Sequence, residues 1–332
     1  MHTEKKIIKL RLAVESLDLL PAMPVIAQKL LALPLHTELG ERQLIMLIEQ
    51  DPQLSAKILG LANSPILGTG HKIRNIHEAA MYLGLKRLKS VSIGMAAMSN
   101  LLNTSASKHF NPHDLWLHSM TVAVVMNTLS LSMPQFARPD EDQIFLSGLV
   151  HDIGLMALHH LDKNASDELH HQLHLQPKRP ICEIELEMLG VTHCQIGAQL
   201  LKHWGLPQEI IQVVALHHST SLDSEPFTQI NSLVRLAVIA EHLLPDFGIA
   251  EHTNTLVEKN EWAELFIDAA HVDNLTAMVN ELAMQVTQLP DAIKYPQSDT
   301  TTETRTVNPS ADNNSFGRSI RHLYKRIVSF LR

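Results

Sequence analysis

Six residues of this 332-residue chain have the side-chain types to build a metal centre: His118, the dipeptide His151-Asp152, His193 and the doublet His217-His218. Imidazole nitrogens and carboxylate oxygens are ligands that first-row divalent cations accept. Several of them converging from different helices of a bundle can make a hydrolytic centre. A cation held there would lower the pKa of a bound water, and a nearby protonated His or a Lys would stabilise a phosphate group. The expected ion is Fe, Mn, Ni or Zn. No GxGxxG, GxxxxGK[ST] or GxSxG pattern occurs, so dinucleotide, P-loop and nucleophile-elbow chemistry have no support. No individual residue is assigned a catalytic role from the spacing.

The chain carries 21 histidines, so an HD pair is expected about once by chance, and His113-Asp114 is a second example. A histidine on a helix is ordinarily packing or a solvated surface group. His159-His160, His170-His171 and His174 take that reading, beside a polar turn rich in Asp and Lys. The six candidates differ in context. LWLHSM and FLSGLVHDIGLMAL set His118 and His151-Asp152 inside otherwise apolar helical runs, where a polar group needs a partner.

The elements that must position them read as helices. The chain is 45% hydrophobic and only 4% aromatic, a bias that favours packed helices over sheets. An apolar face recurs at helical spacing over residues 22–33, and Asp51-Pro52 opens a later helix with an N-cap and Pro at N1. Two helices hinge at Gly84. Residues 114–131 and 140–161 read as long helices, the latter with an acidic first turn. Shorter helices are expected over 182–189, 193–204 and 207–217, then 226–244, with two more over 260–289.

Residues 296–317, PQSDTTTETRTVNPSADNNSFG, hold too little apolar area to offset ordering entropy and read as a disordered linker. Residues 318–332, RSIRHLYKRIVSFLR, read as a basic amphipathic helix whose Arg318, Arg321, Lys325, Arg326 and Arg332 carry five positive charges on a chain of net charge −8. A membrane surface, an acidic partner or DNA would suit it, and a fold-back onto the acidic body is the duller alternative. The net charge argues against nucleic acid at the main domain. Cys182 and Cys194 are too few for a disulfide framework, which points to a reducing compartment. No run is a clean signal peptide or membrane span, so a cytoplasmic location is expected, peripheral at a membrane if the tail binds lipid.

The chain resembles the HDOD family, the HD-related output domains of bacterial signalling proteins, over residues 20–244 or so. The first block carries LPAMPVIAQKLLAL, LIEQDPQLSAKILGLANSPILG and IRNIHEAAMYLGLKRLKSVSIG. The second carries LWLHSM, FLSGLVHDIGLMAL, GVTHCQIGAQLLKHWGLPQEIIQVVALHHS and LVRLAVIAEHL. The resemblance implies an all-α fold, a helical subdomain over 20–105 packed on an HD-like bundle over 106–248. An N-terminal extension (1–19), extra helices (249–295), the linker and the tail helix lie around it.

It also implies the H…HD…D ligand set of the HD phosphohydrolases, with His118 as the first His and His151-Asp152 as the pair. His193, His217 and His218 match the extra histidines of the HD-GYP cyclic di-GMP phosphodiesterases. The last Asp falls on Val238, which cannot coordinate metal, and STSLDSEPF stands where GYP would follow. On that alignment Val238→Asp restores the set. Glu241, three residues on and roughly on the same helix face, is the available substitute, but catalytic shells place carboxylates tightly.

The resemblance therefore implies a non-catalytic or degenerate regulatory module. It would act through contacts with signalling proteins, a diguanylate cyclase or phosphodiesterase among them, in networks that use cyclic di-GMP. An exposed apolar groove between the two blocks is expected to receive the partner. The alternative is an active metal-dependent phosphohydrolase using the histidine centre.

Overall fold

The computed structural model describes residues 20–63, 72–101, 104–219, 229–244 and 259–287, and among them every regular element is a helix. The N-terminal block holds α1 (Val25–Leu31), α2 (Glu38–Glu49), α3 (Pro52–Ala62), α4 (Ile76–Leu83) and α5 (Leu85–Leu101). The second holds α6 (Pro112–Leu131), α7 (Glu141–Val150), α8 (Ile153–Leu161), α9 (Lys163–Leu175), α10 (Ile181–Leu189), α11 (His193–His203), α12 (Gln208–Leu216) and α13 (Gln229–His242). After it come α14 (Lys259–Glu264) and α15 (Ala269–Thr287). The expected linker and basic tail, including Arg318, Arg321, Lys325, Arg326 and Arg332, lie outside the described residues.

Local chemistry starts these helices where the sequence leads one to expect. Asp51 accepts hydrogen bonds from the Gln53 and Leu54 N–H groups, both at 3.0 Å, with Pro52 in the first turn of α3. Asn111 and Pro112 repeat that arrangement at α6. Gly84 ends α4 at φ 78°, a left-handed conformation that a side chain would strain, and the chain then turns directly into α5.

Packing places α6 at the centre. Its fifteen buried residues out of twenty cover nearly every side, so it has no single apolar stripe. It packs on α7, α13 and α15, while α5 leans on both α7 and α1. One core runs from Leu20 to Val214 and so crosses from the first block into the second. Another gathers the far half of α6 with α13, Trp262, Leu265 and α15. Lys89 on α5 donates to the Leu31 and Leu33 carbonyls at 3.1 and 2.8 Å, satisfying the C-terminal end of α1 across the block. A groove of about 500 Å³ lies between the two blocks, lined by Met23, Gln28, Leu31, His203 and Trp204 among others.

Two expectations change. The helix expected over 140–161 is broken at His151 and Asp152 into α7 and α8. Asp152 adopts φ −99°, ψ 16° and accepts from the Leu155 N–H at 3.0 Å, starting the second helix. The Glu141–Leu161 stretch is long and apolar enough to cross a membrane, with an 18-residue run of mean hydropathy 1.3, yet 89% of that run is buried within the fold as core. Secondly, residues 163–175 form the helix α9, whose inner face brings His170 to 5% exposure. His159, on α8, is at 2%. Their polar sequence neighbours sit on the outer face, which is why they read as surface.

His170 donates Nδ1–H to the Ser166 carbonyl at 2.8 Å, and burial, with His159 nearby, pushes its pKa down to about 4. That lies below the ordinary 6.5, so the unfolded chain binds the extra proton between those values. Stability therefore falls as pH drops from 6.5 toward 4. His170→Gln should remove up to about 3 kcal/mol of that loss. Urea midpoints near pH 7 and near pH 4.5 measure it, and equal pH slopes in the two proteins would rule the effect out.

Candidate metal centre

The break between α7 and α8 turns His151 and Asp152 into one buried pocket together with His118 from the middle of α6. The first turn of α11 adds His193, the end of α12 adds His217 and His218, and α13 adds Glu241. Apart from His218, each of these is at most 2% exposed. The structure thus brings together all six residues singled out from the sequence, with Glu241. Val238 points elsewhere: its side chain belongs to the second core, among the apolar residues of α13 and α6. His113 stands in the first turn of α6, apart from the cluster.

Asp152 is the hub. Its Oδ1 lies 3.1 Å from His217 Nε2 and 3.3 Å from His193 Nε2, while its Oδ2 lies 3.2 Å from His151 Nε2 and 3.6 Å from His118 Nε2. The two oxygens of one carboxylate thus face two different histidine sets. Glu241 joins both through different atoms: Oε1 is 2.8 Å from His151 Nε2 and 3.9 Å from His118 Nε2, and Oε2 is 3.8 Å from His218 Nδ1. One ligand atom from each of His118, His151, Asp152 and Glu241 lies within 4.8 Å of the others. The same holds for Asp152, His217, His218 and Glu241.

The outer nitrogens are fixed, which aims the inner ones. Nδ1–H of His151 donates to the Gly148 carbonyl at 2.8 Å, and that of His217 to the Val214 carbonyl at 2.9 Å. His193 is held by Glu185, whose carboxylate accepts from both its Nδ1–H at 2.9 Å and its backbone N–H at 3.0 Å. A capping box of Thr192 and Gln195 seats His193 as the first residue of α11. A proton on Nδ1 leaves Nε2 with a lone pair, the arrangement that metal-bound histidines adopt.

His217 Nε2 and Asp152 Oδ1 pair with each other, but three inner atoms on the other side are left over. His151 Nε2, Asp152 Oδ2 and Glu241 Oε1 are buried and close, but misaligned, and make no hydrogen bond. Donor type, convergence and unsatisfied atoms together fit a divalent cation.

Electrostatics point the same way. Burial opposes charge throughout, but Asp152 and Glu241 hold His151 up at about 10. His193 and His217 are likewise held well above the usual imidazole range by Cys194 and their carboxylate neighbours, Glu185 and Glu241 respectively. Asp152 and Glu241 lie well below the carboxylate range because of the imidazoles around them. His218 is driven down to about 3, by burial first and then by His217. Protons thus compete for the places a cation would take, so cation binding releases protons and weakens as pH falls.

Glu185 and Cys194 were not among the residues singled out from sequence. For Glu185 a signal existed: it falls on the apolar stripe of α10 with Ile181, Ile184 and Leu189, where a carboxylate is out of place. Cys194 carries no such mark.

If Glu241 is the carboxylate of the centre, Val238→Asp restores nothing. It should leave metal content unchanged and cost about 2–4 kcal/mol, by placing an unpaired carboxylate in the second core. Elemental analysis and urea unfolding of the variant check both parts, and a gain in bound metal would overturn the assignment.

Residues 20–220 match the sequence profile of the HDOD domain. Among solved structures, the chain is similar to an HDOD domain protein of unknown function from Geobacter sulfurreducens. The two are 22% identical with a TM-score of 0.69, covering 86% of this chain and 99% of that one. It is also similar to a candidate signal transduction protein from Marinobacter aquaeolei VT8 (23% identity, TM-score 0.66, 81% and 58% coverage). A third is a candidate phosphohydrolase from Shewanella amazonensis SB2B (20%, 0.62, 85% and 98%). These likenesses establish the fold. An uncharacterized protein of Treponema pallidum (strain Nichols) is 26% identical over 233 residues, 68% of this chain, and the chain spans only 44% of its length.

Proposed function

This chain belongs to the HDOD domain family, and on that premise we propose that it is a bacterial signalling module. Its buried centre holds one or two divalent cations, and it acts on partner proteins by contact rather than by turnover. The observation that carries the reading is the sealing of the centre. His118, His151, Asp152, His193, His217 and Glu241 are at most 2% exposed, while the side chain of His218 is 20% exposed. A cation can enter beside His218; a substrate phosphate has to reach the ligands themselves. Five segments of the bundle meet at Asp152, so occupancy of the centre sets how α6, α8, α11, α12 and α13 pack. The groove lined by Met23, Leu31 and Trp204 lies at the other end of α11, where a signalling partner would sense that packing. Cyclic di-GMP networks, with a diguanylate cyclase or phosphodiesterase as partner, are the setting the family resemblance suggests.

A second reading, a metal-dependent phosphohydrolase, draws on Glu241, which supplies a carboxylate in place of the one missing at Val238. A cation bound there would act as a Lewis acid toward phosphate and acidify water. Elemental analysis of the untagged chain, followed by assays with cyclic dinucleotides and phosphomonoesters, separates the two readings. Bound metal without turnover is expected. Metal-dependent turnover that disappears with Asp152→Ala replaces the first reading with the second, and a chain without metal defeats both.

A further inference from the structure

Behind the histidines the centre has a sulfur. Cys194, the second residue of α11, is 5% exposed, and its Sγ lies 3.5 Å from His193 Nε2 and 4.0 Å from His217 Nδ1. His193, Cys194, His217 and His218 each offer a ligand atom within 4.8 Å of the others. We propose that Cys194 supplies a thiolate ligand to the cation held by His193 and His217, making that position selective for a thiophilic ion such as Zn²⁺ or Fe²⁺. The inference rests on the metal-binding reading above and adds the identity of one ligand.

The spacing is the first argument. With Zn–S near 2.3 Å and Zn–N near 2.0–2.1 Å, tetrahedral geometry separates sulfur from nitrogen by about 3.6 Å and nitrogen from nitrogen by about 3.3 Å. The Cys194–His193 separation is 3.5 Å and the His193 Nε2–His217 Nε2 separation is 3.2 Å. A nitrogen and an oxygen at bonding distance from one cation are separated by much the same length, and Asp152 Oδ1 lies 3.3 Å from His193 Nε2 and 3.1 Å from His217 Nε2.

The second argument is the valence of His193. Glu185 holds its Nδ1–H, which leaves a single lone pair on Nε2, yet that atom faces Cys194 Sγ, His217 Nε2 and Asp152 Oδ1 together. A thiol hydrogen bond would satisfy one of these neighbours. A cation bound at His193 Nε2 can take its further ligands from this set, and His193, Cys194, His217 and His218 each offer an atom within 4.8 Å of the others. Thiolate with imidazole favours Zn²⁺ and Fe²⁺ over Mn²⁺ or Mg²⁺, which prefer oxygen. Cys182, on α10 and part-exposed, lies against Cys194 and with Glu185 and His193 offers a further set of donors, so the two thiols have to be tested separately.

Cobalt reports the bond directly. The metal-free full-length chain, loaded with Co²⁺, should show the sulfur-to-cobalt charge-transfer band in the near ultraviolet. The band should persist in Cys182→Ser and vanish in Cys194→Ser, whose zinc affinity should fall at least about tenfold. X-ray absorption at the zinc edge of the unsubstituted protein needs no variant and should find sulfur at about 2.3 Å. Cobalt bound without the band, or a band that follows Cys182, overturns the thiolate and leaves the histidine–carboxylate centre standing. A chain that binds no cobalt overturns both.

Discussion

Asp152→Asn should empty both halves of the centre at once. The substitution keeps shape and volume but removes the charge of a fully buried carboxylate whose two oxygens face four imidazole nitrogens at 3.1–3.6 Å. Bound metal should drop from about two equivalents, the number such shared-carboxylate sites hold, to near zero. The metal-free protein should suffer as well. Where the wild type balances raised imidazoles against Asp152, Glu241 and Glu185, the variant leaves Glu241 beside His151 and His217 and Glu185 beside His193, and removing one partner of a buried ion cluster costs about 3–5 kcal/mol.

The comparison variant is His118→Gln, which removes a ligand that faces Asp152 through Oδ2 and Glu241 through Oε1. It should lower metal content by about one equivalent. Elemental analysis and urea unfolding with and without chelator measure both effects. Equal metal content in Asp152→Asn and wild type would mean that the carboxylate is packing and not the shared ligand.

Much of this was legible in the sequence because the relevant physics is local. Caps such as Asp51-Pro52 and helical periodicity place most elements, and a histidine inside LWLHSM or an HD pair inside FLSGLVHDIGLMAL demands a partner whatever the fold. What escaped was the long-range part. The chain break at Asp152 hides in an apolar run that reads as one unbroken helix, because the reason for the break is the convergence of residues from α6, α11, α12 and α13. Position 238 was read as the lost ligand from its alignment, but which residue of α13 faces the centre depends on how that helix rotates against α6. There Glu241 faces inward and Val238 joins the core. His170 reads as surface in the sequence because its charged neighbours are on the outer face of α9, and only the pairing of α9 with α8 buries it together with His159.

The same long-range logic makes two glycines beside the HD pair worth more than their size. Gly154, in the first turn of α8, lies so close to α11 that a methyl group there would overlap the His193 carbonyl and come within 2.9 Å of Gly197 N. Gly148 on α7 meets α6 in the same way, with Ala123 N at 2.8 Å and its Cβ at 3.0 Å from an added methyl. These contacts are backbone, which cannot rotate aside as a side-chain tip can. Gly154→Ala must push α8 and α11 apart, and α11 carries His193 at its first position.

The cost should reach about 3 kcal/mol or more, the upper end for overpacking, and metal at the His193 position should be lost with it. Gly205→Ala is the control: an added methyl there meets nothing within 4 Å, and only its φ of 72° is strained, worth about 1–2 kcal/mol. Urea unfolding of the three proteins in chelator separates packing from metal. If Gly154→Ala is no worse than Gly205→Ala, the close crossing of α8 and α11 does not hold the centre in place, and the ligands must be positioned by the metal itself.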